Sequence, residues 1–246
     1  MKKRFLTVLL SLGLLLTFSV TVMADDKPKS GDPIGLYIAA TGGVTFPSTM
    51  ATTITDTAPG GGFIYENINL NSGWFAGAKL GWQTSFTKRW LAIEAEYNHL
   101  ENTFDSGTPY PTAGIPLNYD GKVKIDAGML NLIGRYPEGK IHPYIGAGGG
   151  YANVQLDDIR SSVVGINFLN TASGSKGVFA YQFMAGFDFE LTDNIFMGVG
   201  YKYFIARKAQ FDTRLTSPLV PGVSDPGTVE VEYKAHVVAF TIGFMF

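Results

Sequence analysis

Histidine is the side chain best placed for acid–base work near neutral pH and is a common metal ligand. The sequence holds three: His99, His142 and His236. None has a helper nearby. An enzyme that removes or transfers acyl chains in this way needs a serine and an acid grouped with its histidine, because the hydroxyl is a weak nucleophile until a base takes its proton. His99-Leu100-Glu101 lacks that serine, and neither His142 nor His236 has one two residues on. There is no cysteine, which removes disulfides, thiolate metal sites and a lipid-attachment cysteine. Gly60-Gly61-Gly62 lacks the lysine that a phosphate cradle requires. These residues predict no catalysis, no cofactor and no metal site, and the histidines read as polar residues at an interface.

The ionic side chains are more informative. Charged residues make up only 16% of the chain, against about 25% in an average soluble domain. Seven of them, Lys79, Glu94, Glu96, Arg135, Asp188, Glu190 and Lys202, share one parity within apolar segments. What they do depends on where those segments aim them.

The first element is an export signal. Lys2, Lys3 and Arg4 precede an apolar run over 5–22, and Val22-Met23-Ala24 offers small residues at the recognition positions. The expectation is a signal peptide over 1–24, cleaved after Ala24; an uncleaved anchor helix is the alternative. Cleavage leaves 16 basic against 21 acidic side chains, a net of −5, and nothing in that balance points to nucleic acid. Residues 25–34 read as a polar lead-in.

After it, alternation at strand period recurs. Val238, Phe240, Ile242, Phe244 and Phe246 share one face, opposed by Ala239, Thr241 and Gly243. Nine residues match the length of a tilted bilayer-spanning strand. Similar segments contain Leu36 to Val44, Trp74 to Trp82, Leu91 to Tyr97, Phe179 to Leu191 and Ile195 to Ile205. Residues 144–156 are thinned by glycines, and 123–136 change parity part-way, which predicts a bulge near 127–129. Three connections are tight: 86–88, 137–140 and 192–194. Four are long and rich in turn residues: 47–72, 102–121, 157–176 and 207–229. Backbone groups in lipid have no water to bond, so a spanning sheet must close on itself. The expected fold over 35–246 is all-β, an eight-stranded antiparallel up-and-down transmembrane barrel. Its turns would be periplasmic and its four long loops extracellular. Aromatic rings near strand ends (Trp74, Trp82, Trp90, Tyr97, Tyr136, Tyr144, Tyr201, Tyr203, Phe244, Phe246) would sit at the two interfaces.

Two stretches carry a family likeness. His142-Pro143-Tyr144-Ile145-Gly146-Ala147-Gly148-Gly149-Gly150-Tyr151 resembles the fifth strand of small outer-membrane barrels related to OmpA, OmpX, Opa and OmpW. Residues 183–191 with Thr192-Asp193-Asn194 and Gly200-Tyr201-Lys202-Tyr203 resemble the sixth and seventh. The likeness covers most of 35–246 and implies an outer-membrane location in contact with lipid and lipopolysaccharide. It also implies that Phe240, Ile242, Phe244 and Phe246 form the signal read by the barrel-assembly machinery, with periplasmic chaperones in transit. The sequence stops at the barrel, so the cell-wall tethering of full-length OmpA does not carry over.

In the barrel the seven charges would point into the lumen. Two readings stay open: an ion-pair plug, or a narrow ion path whose selectivity they set. For the whole protein, the leading reading is a structural, surface-interacting barrel whose loops bind an extracellular ligand. The alternatives are OmpW-like transport of small apolar molecules, with Phe63, Ile64, Ile68 and Leu70 walling an outer pocket, and a low-conductance pore.

Overall fold

The computed structural model describes residues 35–48, 50–56, 63–104, 117–163, 166–216 and 224–246. The expected signal peptide, the lead-in and Gly60-Gly61-Gly62 lie outside the described residues. So do the side chains of Phe63, Ile64 and Ile68.

The strands are β1 (Leu36–Pro47), β2 (Met50–Asp56), β3 (Phe63–Ile68), β4 (Gly73–Gln83), β5 (Leu91–Thr103), β6 (Leu117–Arg135), β7 (Ile141–Val163), β8 (Ile166–Glu190), β9 (Ile195–Thr216) and β10 (Ser224–Met245). The ring runs β1-β4-β5-β6-β7-β8-β9-β10, and β1 pairs with β10 to close it. Every pairing is antiparallel. β2 and β3 are upper continuations of this wall. β10 pairs with β1 up to Ala235 and with β2 from Glu232 onward, while β3 pairs with β2 as β4 pairs with β1. The break at Pro47–Ser48 is held by the Ser48 amide, which donates to Lys234 O at 2.8 Å. The ring therefore has eight wall strands, as the sequence predicts.

Gly35 and Phe246 lie at the same end as the three tight turns, and Phe246 N–H donates to Leu36 O at 2.9 Å. The first turn needs two left-handed residues, Lys88 (φ 53°) and Arg89 (φ 67°). We call this end lower.

Two expectations change. Most of the residues assigned to long loops are paired strand. β7, β8, β9 and β10 contain 23, 25, 22 and 22 residues, where about 9–11 cross a bilayer. Nor is there a bulge at 127–129. β6 runs in unbroken register from Lys122 to Gly134 with β5 and from Lys122 to Arg135 with β7, and its irregularity lies between Asp120 and Lys122. The change of parity has another cause. Leu130 (67% exposed) and Leu132 point outward, whereas Val123, Ile125 (0%), Ala127 and Met129 point inward. The inner face changes from polar to apolar up the strand, and the outer face changes the opposite way, to Asp126 and Lys124.

The whole wall repeats that inversion. Around the lower half, the outward side chains are Ile38, Leu80, Ile93, Leu132, Ile145, Phe183, Ile242 and their neighbours. Around the upper half the barrel has a buried core like that of a soluble protein. Leu100, Phe104, Ile125, Val154, Leu156, Phe204, Phe211, Val231 and Tyr233 form one cluster.

Candidate functional site

The lower lumen is built by inward residues of β1, β4, β5, β6, β8 and β9. Its centre is Glu96, whose side chain is fully buried. Lys202 Nζ reaches across to its Oε1 at 2.6 Å. Gln182 Nε2 (2.6 Å) and Asn131 Nδ2 (3.0 Å) donate to Oε2. Glu94 receives Asn131 Nδ2 at 3.0 Å and the Tyr37 hydroxyl at 2.9 Å. Lys79 stands farther off, 3.6 Å from Glu94 and 3.9 Å from Glu96. Lys202 also donates to Asn98 Oδ1 at 3.1 Å and lies over the Phe75 ring. Buried charges require such company, because desolvating one ion costs several kcal/mol.

Of the seven sequence-predicted lumen residues, Lys79, Glu94, Glu96 and Lys202 meet in this cluster. Arg135 and Asp188 form a second, looser pair, with Nε 3.9 Å from Oδ2. Glu190 stands apart at the lower rim, its side chain 42% exposed, with its Oε1 2.7 Å from His142 Nε2. Grouping by neighbouring strands would put Lys202 with Asp188 and Glu190. The lumen is narrow enough for pairs to form across it instead.

Aromatic rings fill the remaining width. Tyr37 covers Gly81, Tyr144 covers Gly186 and Gly200, and Phe196 covers Gly243; a methyl at any of these glycines would run into the ring. Tyr144, expected at the membrane interface, thus faces inward, where its ring needs the glycines' missing side chains. A residual cavity of ≈30 Å³ remains near the lower end, bordered by Tyr37, Lys79, Gln83, Arg135, Tyr144 and Asp188.

The histidines have partners that sequence spacing could not reveal. His142 is buried at the lower mouth, with Nδ1 2.9 Å from Tyr136 O. His99 meets Asp126 on the next strand at 2.7 Å, and that carboxylate also accepts from the Tyr97 hydroxyl and Gln155. His236 stacks with Tyr201 and Tyr203. Both His99 and His236 lie on the outer surface where the apolar band ends. Above that line, ion pairs face outward: Lys122–Glu101, Lys124–Asp157 and Lys208–Glu230 link neighbouring strands, and Lys234–Glu232 runs along β10.

The upper wall also has a seam. β8 and β9 pair only from Ala180↔Ala206 down to Glu190↔Phe196. Both strands continue upward, β8 with β7 and β9 with β10. At the parting, Arg207 and Lys208 of β9 together face Glu232, an extra residue that bends the strand. Above it the Phe211 ring lies against Gly174, so side chains rather than backbone bonds cover the seam there.

In the lower half, closure without an edge, an apolar outer band and a polar lumen are what a lipid-spanning sheet requires. A family model described as "Outer membrane protein beta-barrel domain" matches residues 10–246. The chain belongs to this family. As an outer-membrane β-barrel it sits in the bacterial outer membrane, amid lipid and lipopolysaccharide, with the short turns periplasmic and the upper headpiece outside. Outer membrane protein PagN of Salmonella typhimurium is 34% identical over 97 residues, 38% of this chain and 39% of that protein. The chain thus aligns with well under half of that relative's length. Among solved structures, the fold is similar to OprG of Pseudomonas aeruginosa. That match has a TM-score of 0.55 and 15% identity, covering 88% of this chain and 98% of OprG. It also resembles the outer membrane protease OmpT of Escherichia coli, with a TM-score of 0.48 and 11% identity, covering 89% and 99% of the two chains. At these identities the likeness concerns the fold alone.

Proposed function

We propose that this outer-membrane barrel is a non-enzymatic surface-interaction protein whose working part is the headpiece above the membrane. The observation that carries this reading is the length of β7–β10, roughly double a bilayer crossing. That extra sheet encloses its own apolar core and displays paired charges outward. A lumen filled by ion pairs and rings supports the same reading, since the inside then acts as a structural plug. The role is that of an adhesin or envelope-stabilising protein with an extracellular ligand. Export through a signal peptide cleaved after Ala24, and delivery by chaperones to the assembly machinery through Phe240, Ile242, Phe244 and Phe246, complete the proposal. The test is adhesion of cells expressing variants in which 57–62, 105–116 or 217–223 is replaced by a short glycine–serine turn. Loss of binding in at least one variant, with heat-modifiable gel mobility retained, is expected. Undiminished adhesion in all three removes the proposal.

The seam favours a second reading, entry of small apolar molecules from outside into the upper core between β8 and β9. Saturable binding of an alkyl amine oxide in titration calorimetry, weakened when Phe211 is changed to Ala, would support it. Heat that rises linearly with ligand content, without saturation, would refute it.

A further inference from the structure

The lower lumen holds donors that the protein leaves without acceptors. Arg135 is 6% exposed and Gln83 is 4% exposed. Arg135 Nε and Nη2, and Gln83 Nε2, have no hydrogen-bond partner within the protein. Such groups are rare in folded proteins, because each loses its water without replacement. Both residues border the same ≈30 Å³ cavity. Lys79 borders it too, with its carboxylates at 3.6 and 3.9 Å, longer than a hydrogen bond. Of the two carboxylates that border the space, Glu94 is already engaged. One Glu94 oxygen is held by Tyr37 and the other by Asn131. Asp188 is 3.9 Å from Arg135. Five donor hydrogens, one on Nε and two each on Nη2 and Nε2, therefore meet no protein acceptor within hydrogen-bond reach, although the carboxylates of Glu94 and Asp188 border the same space.

We propose that this cavity binds a monatomic anion, chloride in the cell, held by Arg135, Gln83 and Lys79. Its chemistry fits the imbalance, since a halide accepts from several donors and brings no hydrogens of its own. Water satisfies these donors only by placing its own hydrogens on Asp188, Glu94 or the Tyr144 hydroxyl, whereas a halide needs no acceptor. The volume admits about two water-sized particles, enough for a halide and a companion water but too small for phosphate or sulfate. Apolar Ile133, Met184 and Phe196 complete the wall and raise the worth of each donor by excluding solvent. Gln83, Arg135 and Asp188 lie at or near the periplasmic ends of β4, β6 and β8, so the ion enters from the periplasm.

The test uses the purified full barrel in detergent. Crystals grown in sodium bromide should give an anomalous peak between Arg135 and Gln83. In solution, the 35Cl linewidth should show saturable excess broadening that bromide displaces. That broadening should be lost in Arg135→Gln and in Gln83→Glu, whose new carboxylate occupies the anion's place, and kept in Lys208→Gln on the outer surface. Wild-type broadening in either lumen variant overturns the proposal, and so does a bromide map without the peak. If neither variant reaches the heat-modifiable folded form, the wild-type bromide map decides alone.

Discussion

Replacing Lys202 with methionine isolates the central claim about the lumen, that its charges are desolvated and mutually dependent. The change keeps most of the apolar stem but removes the ammonium, which lies over the Phe75 ring and sits 2.6 Å from Glu96. Both partners are buried, at 6% and 0% side-chain exposure. Breaking such a pair from one side typically costs about 3–5 kcal/mol, because a carboxylate is left in low dielectric without its cation. Here the lower end applies. Glu96 keeps donors from Gln182 and Asn131, and Lys79, already at 3.9 Å, can swing closer. The reverse change, Glu96→Gln, is more damaging, about 4 kcal/mol, since Lys202 then retains only Asn98 and an aromatic face. The double variant removes both charges and should lie within about 1 kcal/mol of wild type, as neutral replacements of buried pairs often do. Urea unfolding from phospholipid vesicles, followed by the fluorescence of Trp74, Trp82 and Trp90, measures all four proteins. A coupling energy above about 2 kcal/mol is expected. A loss below about 0.5 kcal/mol for Lys202→Met, or additive singles, would mean that the lumen is hydrated and that the pair is an exposed one in energetic terms.

Further predictions address the other zones. Phe211→Ala should destabilise the headpiece by about 3–5 kcal/mol and make it sensitive to protease while the membrane band stays protected; wild-type resistance would show that the seam needs no cover. Gly81→Ala places a methyl inside the Tyr37 ring, and should cost about 1–3 kcal/mol in the same urea assay. A neutral result would mean that Tyr37 can leave Glu94 freely. Phe246→Ser should reduce barrel yield in cells yet leave refolding into synthetic lipid unchanged, because its side chain is half exposed; equal loss in both settings would assign it a structural role. In planar bilayers, Glu96→Gln and Lys202→Met should raise single-channel conductance several-fold if the network closes the lumen, whereas unaltered conductance places the ion path elsewhere.

The terminal strand could be read from sequence because large apolar and small residues alternate over its whole length, and the tight turns because their residues favour no other conformation. The lumen charges were legible as a set, by parity, but not as pairs. Sequence fixes which strands are neighbours along the wall and is silent on what meets across it, so the bond from Lys202 to Glu96 and the separate place of Glu190 could not be foreseen. The same holds for His99 and Asp126, which are adjacent only through the register of β5 and β6. Tyr144 was misjudged because an aromatic near a strand end suits an interface, and only the glycines opposite it reveal that there is room inside.

The false bulge in β6 exposes a more general point about strands that leave a membrane. Parity of apolar residues reports which face avoids water, and that face depends on the surrounding solvent. In hydrocarbon the outward face is apolar, as at Leu130 and Leu132, and the inward one carries Asn131 and Arg135. Above the lipid, water surrounds the same strand, so Asp126 and Lys124 turn outward while Ile125 and Val123 turn in. A continuous strand that crosses this boundary must show a phase reversal, and in sequence a reversal looks the same as an inserted residue. Its position therefore marks the membrane surface. In β6 it falls between Ala127 and Leu130. In β5 it falls between Glu96 and Leu100, where the inner face passes from the buried acid to an apolar side chain and the outer one from Tyr97 to His99. The two strands pair Tyr97 with Gly128 and His99 with Asp126, so the reversals lie at one level. Their agreement argues that the headpiece begins there and that its core is a property of the fold in water.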